Sequence, residues 1–283
     1  MSRVAIVTDS ASDLPPDAAS AAGIEVVPLI VSFGSATYKA GVELSTEDFW
    51  HRMTAPDAPF PTTAASSPGD FRAAYDRLFA QGADGIVSVH VAGTLSGTIK
   101  SAEVAAGMLP GRPIRIVDSG TASMGEGLLA QLGAEMARRG AGADEIADAM
   151  EARKVDIDLY LALDTLAYLK KGGRISGTQA AIGTLLSVKP IITLRDGVVH
   201  TADKPRTRGK ARERVLELLT QRPVERVAVL YTPPVDGEGF RGELLARLAG
   251  KIESSNVSLQ LVGPSVGPHI GPGCVGGVVL YSR

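Results

Sequence analysis

Apolar residues recur along this chain in short runs, separated by segments rich in glycine, serine, threonine and proline. Runs at 3–8, 24–31, 86–91, 112–117, 159–163, 189–194, 198–202, 226–231, 257–262 and 275–281 predict β-strands. Segments between them show helical spacing or helix-start signals. Pro15-Pro16, with Ser12 or Asp13 as cap, predicts a first helix, and Ser67-Pro68 predicts another. Residues 45–53 have capping-box order, Ser45 followed by Asp48, with Phe49 and Trp50 as apolar anchors. Further helices are expected after Thr98 and over 124–139, 143–154, 165–171, 207–220 and 239–250, with Ser176 or Thr178 capping one that runs through Leu186. Pro28 puts the second strand near an edge, because proline cannot donate to a ladder. Asp196-Gly197 between two apolar runs predicts a tight hairpin. Strands alternating with helices point to α/β architecture.

The segment 86–101 has the most chemistry. A buried strand runs into Gly93, Thr94, Ser96, Gly97 and Thr98, and a helix follows. Backbone N–H groups and hydroxyls then gather at the positive end of a helix dipole, which suits an anion. The plainer reading is that Ser96 or Thr98 only caps the helix. Hydroxyl-rich loops also follow the strands ending at Thr8 and Val117, and another spans 61–71. In an open parallel sheet such loops line one edge, where ligands sit, so a polar pocket mouth is expected.

Composition narrows the choice. The 283 residues are enough for two medium domains, and a boundary near 154 gives 1–154 and 155–283. Net charge is −2 with no large basic block, so there is little support for nonspecific nucleic-acid binding. One cysteine, Cys274, rules out an internal disulfide and cysteine-based zinc sites. The chain enters a strand at once without a signal-peptide pattern, and no apolar run reaches about 18 residues, so a soluble cytoplasmic protein is expected.

Catalytic motifs are missing. Gly93 and Gly97 are misplaced around Ser96 for a nucleophile elbow, and neither a Walker loop nor a dinucleotide fingerprint occurs. His51, His90, His200 and His269 show no paired spacing with carboxylates. Asp9 and Asp118 read as loop-capping acids rather than metal ligands. What is left is Thr63, Ser96, Thr98, Arg174 and His269, donors suited to holding a carboxylate or phosphate. Singly, Thr63 also reads as a turn residue and Arg174 as a solvated loop charge. His269, between Pro268 and Gly271-Pro272-Gly273, is expected in a rigid loop that fixes the imidazole.

Several of these segments together resemble the DegV family. They are VAIVTDSASDLP at 4–15, TTAASSPGDF at 62–71, TLSGT at 94–98 and VDSGTASMGEG at 117–127. Others are YLKKGGRISG at 168–177, LLSVKPIITLRDGVV at 185–199, KPRTRGKA at 204–211 and VGPHIGPG at 266–273. The resemblance implies two α/β domains, the first with a mainly parallel sheet between helices and the second with a mixed sheet, and a long-chain fatty acid bound between them. It also implies a separate fatty acid kinase as partner, which phosphorylates the presented carboxylate, and an acyl phosphate carried towards phospholipid synthesis. No cofactor or metal and no catalysis by the chain itself are implied, and membrane contact is at most transient. Position by position, the resemblance assigns the carboxylate site to Ser96 and Thr63, with Thr98 beside them. Arg174 comes from the glycine-arginine loop, His269 from the glycine-proline loop, and Arg206 from the basic segment that would meet the kinase. Where the family has Thr-Ser-x-Pro-Ser, this chain has Thr63-Ala64-Ala65-Ser66-Ser67, which lacks a hydroxyl at 64 and a proline at 66.

Burying an acyl chain of about 15 methylenes yields on the order of 10 kcal/mol, so the carboxylate needs only placement by hydrogen bonds. The basic residues Lys204, Arg206, Arg208, Lys210 and Arg212 fit either a solvated helix face or a docking surface. Two other readings of the residues remain open at this point. One is a phosphotransferase or hydrolase acting through Ser96 and His269, and the other is a binder of a different anionic lipid.

Overall fold

The computed structural model describes residues 3–175 and 188–283, and the expected cap at Ser176 or Thr178 lies outside them. In chain order the strands are β1 (Val4–Asp9), β2 (Ile24–Val27), β3 (Ile30–Phe33), β4 (Ala36–Lys39), β5 (Thr62–Ala64), β6 (Gly85–His90) and β7 (Ile114–Asp118). They continue with β8 (Ile157–Ala162), β9 (Ile191–Arg195), β10 (Val198–Asp203), β11 (Val224–Tyr231), β12 (Val257–Leu261) and β13 (Val275–Tyr281). The helices are α1 (Pro16–Ala22), α2 (Thr46–Met53), α3 (Pro68–Ala80), α4 (Thr98–Gly107) and α5 (Met124–Arg138). After these come α6 (Ala143–Arg153), α7 (Ala167–Lys171), α8 (Arg208–Leu219), α9 (Gly237–Arg247) and the single turn α10 (Gly267–Ile270).

Which faces of the strands are apolar decides the layers. Strand β6 is buried at every position, as a parallel strand covered on both faces must be. It lies inside a parallel sheet ordered β2-β1-β6-β7. A second sheet, β10-β9-β8-β13-β11-β12, is mixed, with only β11 and β12 parallel. The fold is therefore α/β, as the pattern predicts, and has the parallel and the mixed sheet that the family resemblance implies.

Helices α3 and α4 cover one face of the parallel sheet through Phe71, Tyr75, Ala102 and Ala105. Helices α5 and α6 cover the other, and Leu128, Leu129 and Ile146 share a core with Leu159, Leu161, Leu230 and Val278 of the mixed sheet. The alternate residues Tyr160 and Ala162 turn to the far face, where α8 and α9 pack through Val215, Leu219, Phe240 and Leu244. A two-pronged ion pair from Arg226 on β11 to Glu135 on α5, at 2.7 and 2.8 Å, ties the mixed sheet to the middle layer.

Some local expectations need correction. The run 24–31 is two strands rather than one, broken at Pro28: β2 forms the edge of the parallel sheet, while β3 joins a small antiparallel sheet ordered β4-β3-β5. Neither Ser12 nor Asp13 caps α1, whose cap position is Pro15. The Asp13 carboxylate instead accepts the Ser123 hydroxyl at 2.5 Å and the Gly263 N–H at 2.8 Å. The capping signals at Ser45 and Ser67 hold, with a complete box at Ser67 and Asp70. Asp196 and Gly197, both at positive φ, form the hairpin turn between β9 and β10.

Sheet packing is closest at β13. A Cβ at Gly276 would lie 2.0 Å from the Tyr160 carbonyl oxygen on β8. Gly276→Ala is therefore expected to force the two strands apart and to lower stability by about 3 kcal/mol. Urea denaturation checks this, and an unchanged midpoint would contradict the tight pairing of β8 and β13.

Candidate ligand-binding site

In the parallel sheet the chain steps from β1 to β2 on one side and from β6 to β7 on the other. The loops leaving β1 and β6 therefore diverge and open a crevice at the carboxyl ends of the strands. An apolar cleft lies there. Ala11, Val91, Leu95 and Ala122 form one wall, and Leu159 and Leu161 of β8 with Ile192 and Leu194 of β9 form the other. Some hydroxyls of the hydroxyl-rich loops bond within the fold instead of facing the cleft. Ser10 Oγ accepts the Leu29 N–H at 2.8 Å and bonds Ser265 Oγ at 2.8 Å, while Ser119 Oγ donates to the Thr121 carbonyl.

Polar side chains collect on one part of the cleft: Thr63, Ser96, Ser123, Arg174, Ser265 and His269 all line it. Four of the six sequence-predicted residues thus come together from distant parts of the chain. Thr63 is delivered by β5, which pairs with β3 at Val31. The small sheet packs on α2, whose Trp50 indole N–H donates to the Val262 carbonyl at 2.7 Å. His269 sits on the one-turn helix α10 rather than in an irregular loop. Its Nε2 is 3.0 Å from Thr63 Oγ1.

The two glycine loops interlock around this imidazole. A Cβ at Gly172 would lie 2.3 Å from His269 Nδ1, and one at Gly271, at φ 73°, would lie 2.2 Å from the Tyr168 ring. Arg174 follows in the same loop and donates from Nη1 to the Gly172 carbonyl at 2.6 Å and from Nε to the Leu95 carbonyl at 3.1 Å. Burial, helped by the nearby Arg174 charge, lowers the His269 pKa to about 4, so the ring is neutral at neutral pH. Its Nδ1 is buried and has no hydrogen-bond partner among the described residues.

Thr98 and Arg206 stand apart from this group. Thr98 is fully buried behind Ser96, its Oγ1 2.8 Å from Ser96 Oγ, and its backbone N–H donates to that same oxygen at 3.3 Å. Arg206 is exposed in the turn before α8. Of the basic cluster, Arg208 is paired with Asp164 and Arg212 with Glu243, whereas Lys204, Arg206 and Lys210 are exposed.

Comparison with known proteins places the chain in a family. The sequence model of the DegV family, described as uncharacterised protein, DegV family, matches residues 3–282. The chain belongs to the DegV family. A DegV domain-containing protein of Streptomyces coelicolor is 38% identical over 288 residues, covering 100% of both chains. A DegV family protein from Thermus thermophilus, described by its fatty acid binding, superposes with a TM-score of 0.89 at 36% identity, covering 99% of this chain and 100% of that one. DegV of Bacillus subtilis, described as a fatty acid binding protein, gives a TM-score of 0.84 at 30% identity, covering 99% of each chain.

A second polar cluster in this DegV-family chain, directly behind the cleft, was not legible in the sequence. Asp9, His90 and Glu126, all fully buried, come from the ends of β1 and β6 and the first turn of α5. Asp9 accepts N–H groups from Ala11 at 2.8 Å and Val91 at 3.3 Å, and bonds His90 Nδ1 at 3.0 Å. His90 Nε2 bonds Ser88 Oγ at 2.7 Å, which accepts the Tyr75 hydroxyl at 2.9 Å. Three N–H donors converging on Asp9 suit a carboxylate anion rather than a cation. Asp118 also caps its loop, accepting from Gly93 and Gly120.

Two groups, His269 in the cleft and Asp13 bonded to its lining residue Ser123, give opposite pH dependence. Burial raises the Asp13 pKa to about 7, so Asp13 opposes folding progressively as pH rises from about 4 to 7. His269, lowered to about 4, favours folding above pH 6.5 and loses that contribution as pH falls towards 4. Relative to wild type, Asp13→Asn should therefore gain stability as pH rises from 4 to 7, by up to about 1.4 kcal/mol per pH unit. Urea midpoints across this range measure it, and a difference that is flat or falls with pH would contradict the assignment.

Proposed function

We propose that this chain binds a long-chain fatty acid in the cleft, acyl chain along the apolar walls and carboxylate at the Thr63, Ser96, Arg174 and His269 end. The observation that carries the reading is an apolar cleft ending in hydroxyls, one guanidinium and one neutral imidazole. Descriptions of the Thermus and Bacillus relatives as fatty acid binding support it.

The hydrogen bonds suggest how the head group is held. With a neutral ring whose Nδ1 has no partner among the described residues, Nε2–H can donate to Thr63 Oγ1, leaving the Thr63 hydroxyl proton for the carboxylate. Ser96 Oγ already accepts the Thr98 N–H, so a Thr98 hydroxyl donating to it leaves the Ser96 proton for the second carboxylate oxygen. Arg174, held by two backbone carbonyls, supplies the balancing charge. A buried carboxylate needs this number of donors.

In the same reading the chain is a carrier rather than an enzyme. It presents the carboxylate to a separate fatty acid kinase, which docks on a face of this chain that includes Arg206, and carries the acyl phosphate towards phospholipid synthesis in the cytoplasm. Residues 1–154 and 155–283 act as the two domains that enclose the ligand. Among the described residues no helix is long and apolar enough to cross a membrane. Against the hydrolase alternative, Ser96 bonds Thr98 and His269 bonds Thr63, so hydroxyl and base are not paired with each other.

Denaturing extraction of protein purified from a bacterial host, followed by mass spectrometry, should yield about one fatty acid per chain; its absence would sink the reading. Ser96→Ala should weaken fatty-acid binding by about 1–3 kcal/mol, because a buried acceptor loses a donor. Arg206→Ala should leave lipid content intact and reduce phosphorylation by the kinase, and equal lipid loss in both variants would contradict this division of roles.

A further inference from the structure

The buried Asp9 cluster has no contact with the cleft through its own side chains, yet it meets all three loops that build one wall. Ala11, whose N–H it accepts, lines the cleft after β1. Val91, whose N–H it also accepts, lines the cleft after β6 and leads directly to Ser96. The Ala92 carbonyl accepts the backbone N–H groups of both Leu95 and Ser96, at 2.8 and 3.1 Å, so the position of this strand end is passed on to Ser96. Glu126 reaches in from the first turn of α5, and the two residues just before that helix, Ala122 and Ser123, line the cleft after β7. Its Oε1 accepts the Thr8 hydroxyl at 2.6 Å and the Asp9 N–H at 3.3 Å.

We propose that Asp9 is a positioning residue for the head-group site, fixing the starts of the loops after β1 and β6 and thereby the place of Ser96. The proposal rests on the fatty-acid reading of the cleft. Burial, and then repulsion from the neighbouring Asp9, raises the Glu126 pKa well above the usual carboxyl range. Asp9 Oδ1 serves the Ala11 loop, and Oδ2 serves Val91 and His90. An asparagine has one oxygen for these two sets of donors. Whichever way its amide turns, an NH₂ group faces an N–H donor, and one loop loses its anchor.

Binding is measured on delipidated full-length protein with two probes of equal chain length, palmitic acid and hexadecanol. The alcohol fills the apolar cleft but lacks the carboxylate. Asp9→Asn should weaken palmitic acid about tenfold or more while changing hexadecanol by no more than about twofold. Combined with Ser96→Ala it should add little to the weaker single variant, since both act at one group. His90→Ala, which removes one donor to Asp9, serves as the second variant and should show the same acid-selective loss. Equal losses for both probes, no loss for either, or additive effects with Ser96→Ala would overturn the proposal while leaving the fatty-acid reading standing. Failure of both variants to unfold cooperatively would assign the cluster to the core alone and also overturn it. Wild-type protein that binds neither probe would instead overturn the reading of the cleft.

Discussion

The His269 imidazole lies against the backbone of Gly172 with no room for a Cβ between them, and the polar end of the cleft follows from that contact. It brings α10 onto the loop after α7, and the same loop then delivers Arg174 to the Leu95 carbonyl beside Ser96. On its other edge the imidazole meets Thr63, carried by a small sheet that is itself anchored through Trp50 to the end of β12. Segments separated by up to 206 residues therefore meet around one ring. This explains why a glycine pair and a glycine-proline loop occur in one chain: Gly172 accommodates His269, and Gly271 accommodates Tyr168.

Charge and burial set what this end can do. A buried histidine beside a guanidinium stays neutral, so the group has one cation and several neutral donors. That combination holds one anion without supplying a strong base. The chain does contain a serine, a histidine and an aspartate in hydrogen-bonded sequence, Ser88, His90 and Asp9, but Ser88 is fully buried and already accepts the Tyr75 hydroxyl. A nucleophile needs a reacting atom within reach, and no cavity lining includes Ser88 among those described. The sequence of bonds serves the inside of the sheet, where each polar group must find a partner.

The sequence made the α/β alternation, the hairpin at Asp196-Gly197 and most helix starts legible, because period and capping are local signals. It also singled out Thr63, Ser96, Arg174 and His269, through loop composition and through the family resemblance. It failed where the determinant was a long-range contact. The run 24–31 looks like one strand, yet Pro28 sends its halves to different sheets. Asp13 looks like a helix cap, yet its carboxylate reaches Ser123 and Gly263. His90 shows no useful spacing to Asp9 or Glu126, since they lie 81 residues before it and on a helix beyond the next strand. Cleft and core residues were also inseparable: Leu159 and Leu161 face the ligand side, while Tyr160 between them packs under α8 and α9.

Separating apolar walls from a polar end also separates two energies. Burial of an acyl chain contributes on the order of 10 kcal/mol, whereas each hydrogen bond to the carboxylate contributes about 1–3 kcal/mol. Occupancy is then governed by the walls from β8, β9 and the loops opposite, and the head group adds comparatively little to it. In the proposed reading, what the head group governs is where the carboxylate sits relative to the surface that a partner would meet. A site with this division tolerates variation in the apolar lining as long as volume is kept. It tolerates little at Gly172, Gly271 or Thr63, where a displacement disturbs the polar end without emptying the cleft.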